Sequence, residues 1–110
     1  MTDKKLLQII KSFRYGLIGR KDSDFMCLYV SAPLQAFLKF NYKMNTRLVD
    51  GYCKVGIFEP EHCWLELEDG RIIDPTYDQF FEKGLKPKVY IGEKPDNYFE
   101  MVLTPAERGR

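Results

Sequence analysis

The apolar residues of this chain change their spacing near residue 45, and that change restricts the folds open to it. Before that point they recur every three to four residues, as on one face of a helix. After it they alternate with polar residues, as along a strand with one buried face. This order predicts an α+β fold in which N-terminal helices pack on a small antiparallel sheet.

Two helices are predicted, over residues 2–19 and 25–40. Pro33 lies inside the second and leaves two alternatives. Either it kinks one continuous helix, or Ser31 caps a separate segment with Pro33 in its first turn. The first helix has a basic outer face that we expect to be solvated: Lys4, Lys5, Lys11 and Arg14.

The second half of the chain is predicted to form three or four antiparallel strands, because apolar residues alternate between turn signals. Asp69-Gly70 is a strong signal for a two-residue hairpin. Residues 76–83 are predicted as a short helix or turn that ends at Gly84. The predicted strands are Arg47–Val55, His62–Leu67, Arg71–Ile73 and Lys88–Ile91, and a weaker pattern over Tyr98–Leu103 could add an edge strand.

The composition indicates one domain over residues 1–110 and an ordinary soluble protein. A net charge of +1 gives no electrostatic case for nucleic acid or an anionic membrane as partner. No apolar run approaches the roughly 18 residues of a membrane span. The three cysteines cannot all pair, and no signal-peptide pattern opens the sequence. We therefore expect a cytoplasmic protein with free cysteines.

Cys27 is the first candidate for chemistry. It follows the capping residue Asp24 and lies in the first turn of the second predicted helix. The positive end of the helix dipole and the unpaired N–H groups there stabilise a thiolate, and they can also stabilise an oxyanion. The alternative is that Cys27 is a small core residue, which is a common role for cysteine.

His62 is the chain's single histidine and lies on a predicted strand. Strand alternation places His62, Trp64 and Glu66 on one face, which we interpret as the wall of a site. Trp64 could there shield an ion pair from water. The opposite face is expected to be core, and it comprises Cys63, Leu65 and Leu67. A lone histidine on a strand is otherwise more often structural.

Asp74 follows the Asp69-Gly70 hairpin and is predicted to lie near His62 on the adjacent strand. A carboxylate there can fix the tautomer of the imidazole and stabilise its cationic form. The alternative is that Asp74-Pro75-Thr76 is only a turn. Thiol, imidazole and carboxylate together are the components of a nucleophilic cysteine site.

Four segments in order resemble the transglutaminase-like branch of the papain-like fold: Cys27, Val49-Asp50-Gly51-Tyr52, His62-Cys63-Trp64-Leu65-Glu66 and Asp74-Pro75-Thr76. The resemblance covers about half the chain. It implies that Cys27 is the nucleophile, His62 the general base and acid, and Asp74 the residue that orients His62. It also makes Trp64, Tyr52 and Glu66 candidates for the substrate pocket.

The implied function is thiol-dependent acyl transfer on a protein or peptide through a thioester, by hydrolysis, deamidation or transamidation. Related proteases often place a glutamine oxyanion donor just before the nucleophile, and residues 21–26 contain none. The backbone N–H of Cys27 then needs a second donor, for which Tyr52 and Asn45 are candidates.

Two other hypotheses compete with an enzyme. In the first, the fold is a catalytically inactive binding module that docks on a partner protein through 86–90 and 98–99. In the second, His62 and Asp74 are only a buried polar pair. We expect no metal or cofactor, because the candidate ligands lack zinc-site spacing and alternation turns Cys63 away from His62. Cys53 and Cys63 are expected to be buried, inert thiols.

Overall fold

The computed structural model describes residues 2–19, 26–79 and 87–101. Within these residues two helices pack on an antiparallel sheet, which confirms the predicted α+β class. No helix among them is long and apolar enough to cross a membrane. The elements are α1 (Asp3–Ile18), α2 (Cys27–Tyr42), β1 (Thr46–Cys53), β2 (Glu61–Leu67), β3 (Ile72–Asp74), β4 (Tyr90–Gly92) and β5 (Tyr98–Glu100).

Helix α1 has the ends that the sequence predicts. The Thr2 side chain caps the first turn by accepting a hydrogen bond from the backbone N–H of Lys5 at 3.2 Å. Gly19 ends the helix with φ +64°, a conformation that glycine adopts without a steric penalty. Leu6 and Ile10 are buried against the rest of the protein.

Arg14 contradicts the expectation of a fully solvated basic face on α1, because only 3% of its surface is exposed. Its guanidinium donates to both carboxylate oxygens of Asp78, at 2.7 and 2.9 Å, and to the carbonyl oxygens of Pro75 and Lys88. A buried arginine is stable only when its donors and charge are satisfied in this way. Arg14 therefore ties α1 to the turn that follows Asp74.

Helix α2 is one continuous helix through Pro33, which excludes the alternative of a second segment capped by Ser31. It begins at Cys27, two residues later than predicted, with Met26 as the capping position. The predicted cap Asp24 lies outside the described residues. The α2 N-terminus is therefore at Cys27 itself, where the backbone N–H groups are free of intrahelical partners.

The sheet has five strands among the described residues, one more than the predicted three or four, in the order β4-β3-β2-β1-β5. All neighbouring strands are antiparallel. The predicted edge strand forms β5 and pairs with β1. Strands β3 and β4 lie one to two residues later than predicted. The short helix or turn predicted over 76–83 is turn over 76–79, and its remainder lies outside the described residues.

The sheet buries both of its faces. One face packs with the helices around Leu6, Ile10, Leu34, Leu38, Leu65, Leu67, Ile73 and Val89. The other cluster contains Val49, Cys53, Trp64, Ile72 and Tyr98. The predicted core face of β2 is confirmed for Leu65 and Leu67, whereas the burial of Trp64 shows that the opposite face is also covered. His62, the second residue of β2, is therefore enclosed from both sides.

Candidate active site

Three elements bring Cys27, His62 and Asp74 together. Helix α2 begins at Cys27, while His62 is the second residue of β2 and Asp74 the last residue of β3. The pairing of Leu65 with Ile73 places Asp74 diagonally across from His62, about as the hairpin predicts. The contacts described next show that all three side chains meet at this end of the sheet.

The His62–Asp74 pair is short and buried. His62 Nε2 lies 2.7 Å from Asp74 Oδ2, with side-chain exposures of 1% and 0%. The second oxygen, Oδ1, accepts the backbone N–H of Thr76 at 3.0 Å. This is the Asx turn that Asp74-Pro75-Thr76 favours. The tripeptide therefore forms a turn and at the same time places the Asp74 carboxylate against His62.

The Cys27 thiol interacts with both Cys63 and the imidazole of His62. Asp74 occupies Nε2 of the imidazole, so Nδ1 is the nitrogen available to the sulfur. The hydrogen bond from Cys63 and the hydrogen bond and charge of His62 outweigh burial and lower the pKa of Cys27 to about 4. A thiolate at this position is also favoured by the α2 N-terminus.

The imidazole of His62 is held in its charged form. Burial alone would lower its pKa, but the hydrogen bonds and charges of Asp74 and Cys27 outweigh burial and raise the pKa to about 9. Between about pH 4 and about pH 9 the site thus holds a thiolate and an imidazolium side by side. This is the resting state of an activated cysteine nucleophile.

Cys63 is buried as predicted, but it is not separated from the site. Its S–H donates to the Cys27 sulfur, and this contact together with burial raises the pKa of Cys63. Strand alternation predicts only that Cys63 and His62 leave β2 on opposite sides. It does not include the α2 N-terminus, where Cys27 contacts both residues. Cys53 is buried too, and burial raises its pKa to about 11.

Tyr98 is a residue of the site that no local sequence pattern indicates. Its hydroxyl donates to Asp74 Oδ2 at 2.5 Å, and its ring lies edge-on to the His62 ring at 5.4 Å. Tyr98 is 3% exposed, so the prediction that it belongs to an exposed docking surface is wrong. Val89, which was predicted to belong to the same docking surface, is also buried. Lys86 of that surface lies outside the described residues. Tyr98 reaches the site because β5 pairs with β1, and local sequence patterns do not predict that pairing.

The three candidates for a substrate pocket lie in different surroundings. Trp64 is buried, and its ring centroid is 6.1 Å from that of His62, which is the shielding position predicted for it. Tyr52 is half-buried and stacks on Phe99 at 5.4 Å. Glu66 accepts a hydrogen bond from exposed Arg47 at 3.1 Å. Their part in binding substrate stays a prediction.

The two candidates for an oxyanion donor are not equivalent. Tyr52 is next to Gly51, the residue that pairs with His62 across β1 and β2. Asn45 precedes the opposite end of β1, and six residues of strand separate it from Gly51 by ~20 Å. Asn45 is therefore too far away to serve, whereas the backbone N–H of Cys27 at the α2 N-terminus is in place.

A metal site receives no support within residues 2–19, 26–79 and 87–101, which contain no group of three or more histidine, cysteine, aspartate or glutamate residues placed to hold an ion. Comparison of the chain with protein-family models, curated protein sequences and solved structures finds no match.

Proposed function

We propose that this protein is a thiol-dependent acyl-transfer enzyme in which Cys27, His62 and Asp74 act as a catalytic triad. The observation on which this depends is the buried 2.7 Å contact between His62 and Asp74, with the Cys27 thiol close enough to the same imidazole for the two to interact electrostatically. A purely structural histidine–aspartate pair needs no thiol at a helix N-terminus beside it. The arrangement has the order of nucleophile, base and orienting carboxylate that acyl transfer requires.

In the proposed reaction the Cys27 thiolate attacks the carbonyl carbon of an amide or ester, and a carbon–sulfur bond forms. His62 donates its proton to the departing amine or alcohol as the carbon–nitrogen or carbon–oxygen bond breaks, which leaves a thioester. Water or an amine then attacks the thioester, and His62 takes up the proton from that nucleophile. The Cys27 thiolate is released and the imidazolium is restored.

The fold proposal is that the chain is a minimal transglutaminase-like member of the papain-like fold. Its support is the order of the parts: a cysteine that opens a helix, a histidine on the following antiparallel pair, and an aspartate on the next strand. We propose a protein or peptide substrate, because this is the substrate class that the transglutaminase-like resemblance implies. We also propose a cytoplasmic location, since all three cysteines are free thiols.

An acylation assay tests the proposed function. An activated aryl ester is mixed with the protein, and the acyl adduct on each cysteine is followed over time by mass spectrometry. We expect a transient adduct on Cys27 in the wild type, its absence in Cys27→Ala, and a loss of at least ~100-fold in rate in His62→Ala. Cys53→Ala is the matched control, because Cys53 is a buried thiol outside the triad. Ester turnover that survives in folded Cys27→Ala would refute the proposal.

The second candidate, an inactive binding module, predicts that folded Cys27→Ala keeps the biological activity of the protein. The buried state of Tyr98 and Val89 removes part of the surface that was predicted for docking. An acyl adduct on Cys27 that turns over would exclude an inactive triad.

A further inference from the structure

Tyr98 belongs to the last described strand and is remote in sequence from each triad residue, yet it contacts the centre of the site. In β5 it pairs with Cys53 of β1, which places its ring beside both Trp64 and His62. The ring centroids of Tyr98 and Trp64 are 5.1 Å apart. These two aromatic rings cover the His62–Asp74 pair from the face opposite the helices.

The Asp74 carboxylate has donors at both of its oxygens. Oδ2 is shared between His62 Nε2 at 2.7 Å and the Tyr98 hydroxyl at 2.5 Å. Oδ1 is held by the backbone N–H of Thr76. The position of the carboxylate is therefore fixed from the Thr76 side, and the Tyr98 hydroxyl competes with His62 for the charge on a single oxygen.

The Tyr98 hydroxyl remains a donor at every pH at which the site could work. Burial and the charge of Asp74 raise its pKa far above the ordinary value for tyrosine. A neutral donor of this kind withdraws part of the carboxylate charge from its neighbour. The imidazolium is consequently held less tightly than an isolated aspartate would hold it.

We propose that Tyr98 is a positioning residue of the triad. Its hydroxyl weakens the interaction between the Asp74 carboxylate and protonated His62, so that the imidazolium can release its proton. This inference rests on the proposed function, because proton release matters only if His62 protonates a leaving group. The best general acid has a pKa near the working pH. Without the Tyr98 hydrogen bond, Asp74 would raise the pKa of His62 further above that pH.

Three elements place the groups that lie around His62. Cys27 approaches from α2, Asp74 from β3 and Tyr98 from β5. Three further groups interact with this cluster and stay neutral, since the pKa of each is raised: Cys53, Cys63 and Tyr77.

The test is an NMR titration of the imidazole in protein labelled with 15N-histidine. The chain has one histidine, so the imidazole signals belong to His62 without further assignment. Wild type is compared with Tyr98→Phe, which keeps the ring and deletes the hydroxyl. Tyr90→Phe is the matched control, because it also deletes a tyrosine hydrogen bond, 2.7 Å from its hydroxyl to the carbonyl oxygen of Glu93.

We expect Tyr98→Phe to raise the proton affinity of His62 about fivefold, and Tyr90→Phe to leave it unchanged. A merely structural role for Tyr98 predicts the opposite sign, because a loosened site would let the pKa of His62 fall toward its ordinary value near 6.5. An unchanged or lowered proton affinity in folded Tyr98→Phe would overturn the inference.

A measurement on the wild type decides the case if Tyr98→Phe does not fold. A hydroxyl proton bonded to a buried carboxylate exchanges slowly and should give a downfield signal with a nuclear Overhauser contact to the His62 ring. Its presence supports the inference and its absence overturns it. Neither measurement involves acylation of Cys27, so failure of the proposed function is separately visible in the acylation assay.

Discussion

At the residue scale, the proposed nucleophile Cys27 depends on a neighbour that strand alternation assigns to the core. Cys63 is 2% exposed, and its S–H is the largest single cause of the lowered pKa of Cys27. A thiol is a weak donor, but a charged acceptor strengthens the hydrogen bond. Cys63 therefore contributes to a site whose three main residues could be identified without it.

Cys63→Ala should raise the pKa of Cys27 by about one unit, because the thiolate loses its donor. Cys63→Ser retains an O–H and should restore much of the effect. The pKa is measured from the ultraviolet absorbance of the thiolate during a pH titration. Cys53→Ala is the control, since Cys53 remains protonated over the range of the titration and makes no hydrogen bond to Cys27. Equal Cys27 titrations in wild type and Cys63→Ala would contradict this assignment.

The three residues of the proposed triad could be singled out from the sequence because each lies at a marked position. Cys27 opens an apolar helical run, His62 is the single histidine, and Asp74 ends the strand after a hairpin signal. Tyr98 and Arg14 could not be predicted in this way. Each acts through a contact with a residue distant in the chain, and local periodicity contains no information on such contacts.

At the element scale, strand β5 must approach β1 closely for Tyr98 to reach Asp74. Gly51 permits this approach, because a Cβ there would lie 2.2 Å from the carbonyl oxygen of Phe99 and 2.6 Å from the Trp64 ring. A glycine inside a strand often marks a bulge, but Gly51 lies in regular register, paired with His62 and Glu100. The reason for glycine here is space between packed strands.

Gly51→Ala should destabilise the protein by about 2–3 kcal/mol, because backbone and a packed indole ring would have to move. Gly16→Ala is the matched control: a Cβ at Gly16 in α1 meets nothing within 4 Å. That change should stabilise the helix by up to about 1 kcal/mol. Urea denaturation of both variants measures the two free energies of unfolding. A Gly51→Ala protein as stable as the wild type would show that β5 does not need this close approach.

The element order and the class of the fold follow from periodicity and turn signals, and only boundaries shifted. Helix α2 begins later than predicted and continues through Pro33, because packing of its buried face outweighs one missing backbone hydrogen bond. Strand β3 is extended by Asp74, whose side-chain partners stabilise the strand end. Such effects of tertiary contacts are absent from local sequence patterns.

At the scale of the whole molecule, the thiolate–imidazolium pair links folding to pH. In the unfolded chain Cys27 keeps its proton up to about pH 9, and His62 titrates near 6.5. The lowered pKa of folded Cys27 gives stability that is lost as pH falls through about 4. The raised pKa of folded His62 gives stability that is complete below 6.5 and is lost as pH rises through about 9.

Between about pH 4 and pH 6.5 the unfolded state binds one proton more than the folded state, so the pair should become more stabilising as pH rises. Between pH 6.5 and about pH 9 both states bind one proton, so the contribution of the pair to the free energy of unfolding should be constant. We expect wild type to gain about 1–2 kcal/mol over Cys27→Ser across the lower range, after allowance for solvent screening. Urea denaturation at a series of pH values measures this difference. A difference independent of pH would contradict a charged pair.

The most direct test of the catalytic account is the pH dependence of Cys27 alkylation by iodoacetamide. Each cysteine is followed separately by mass spectrometry, in wild type and in His62→Ala. We predict that wild-type Cys27 reacts well below the ordinary thiol pKa of ~8.5, and that its profile moves upward by more than one unit in His62→Ala. Cys53 and Cys63 serve as internal controls and should resist alkylation while the protein is folded. An ordinary Cys27 profile in wild type, or the same profile in both proteins, would contradict the triad.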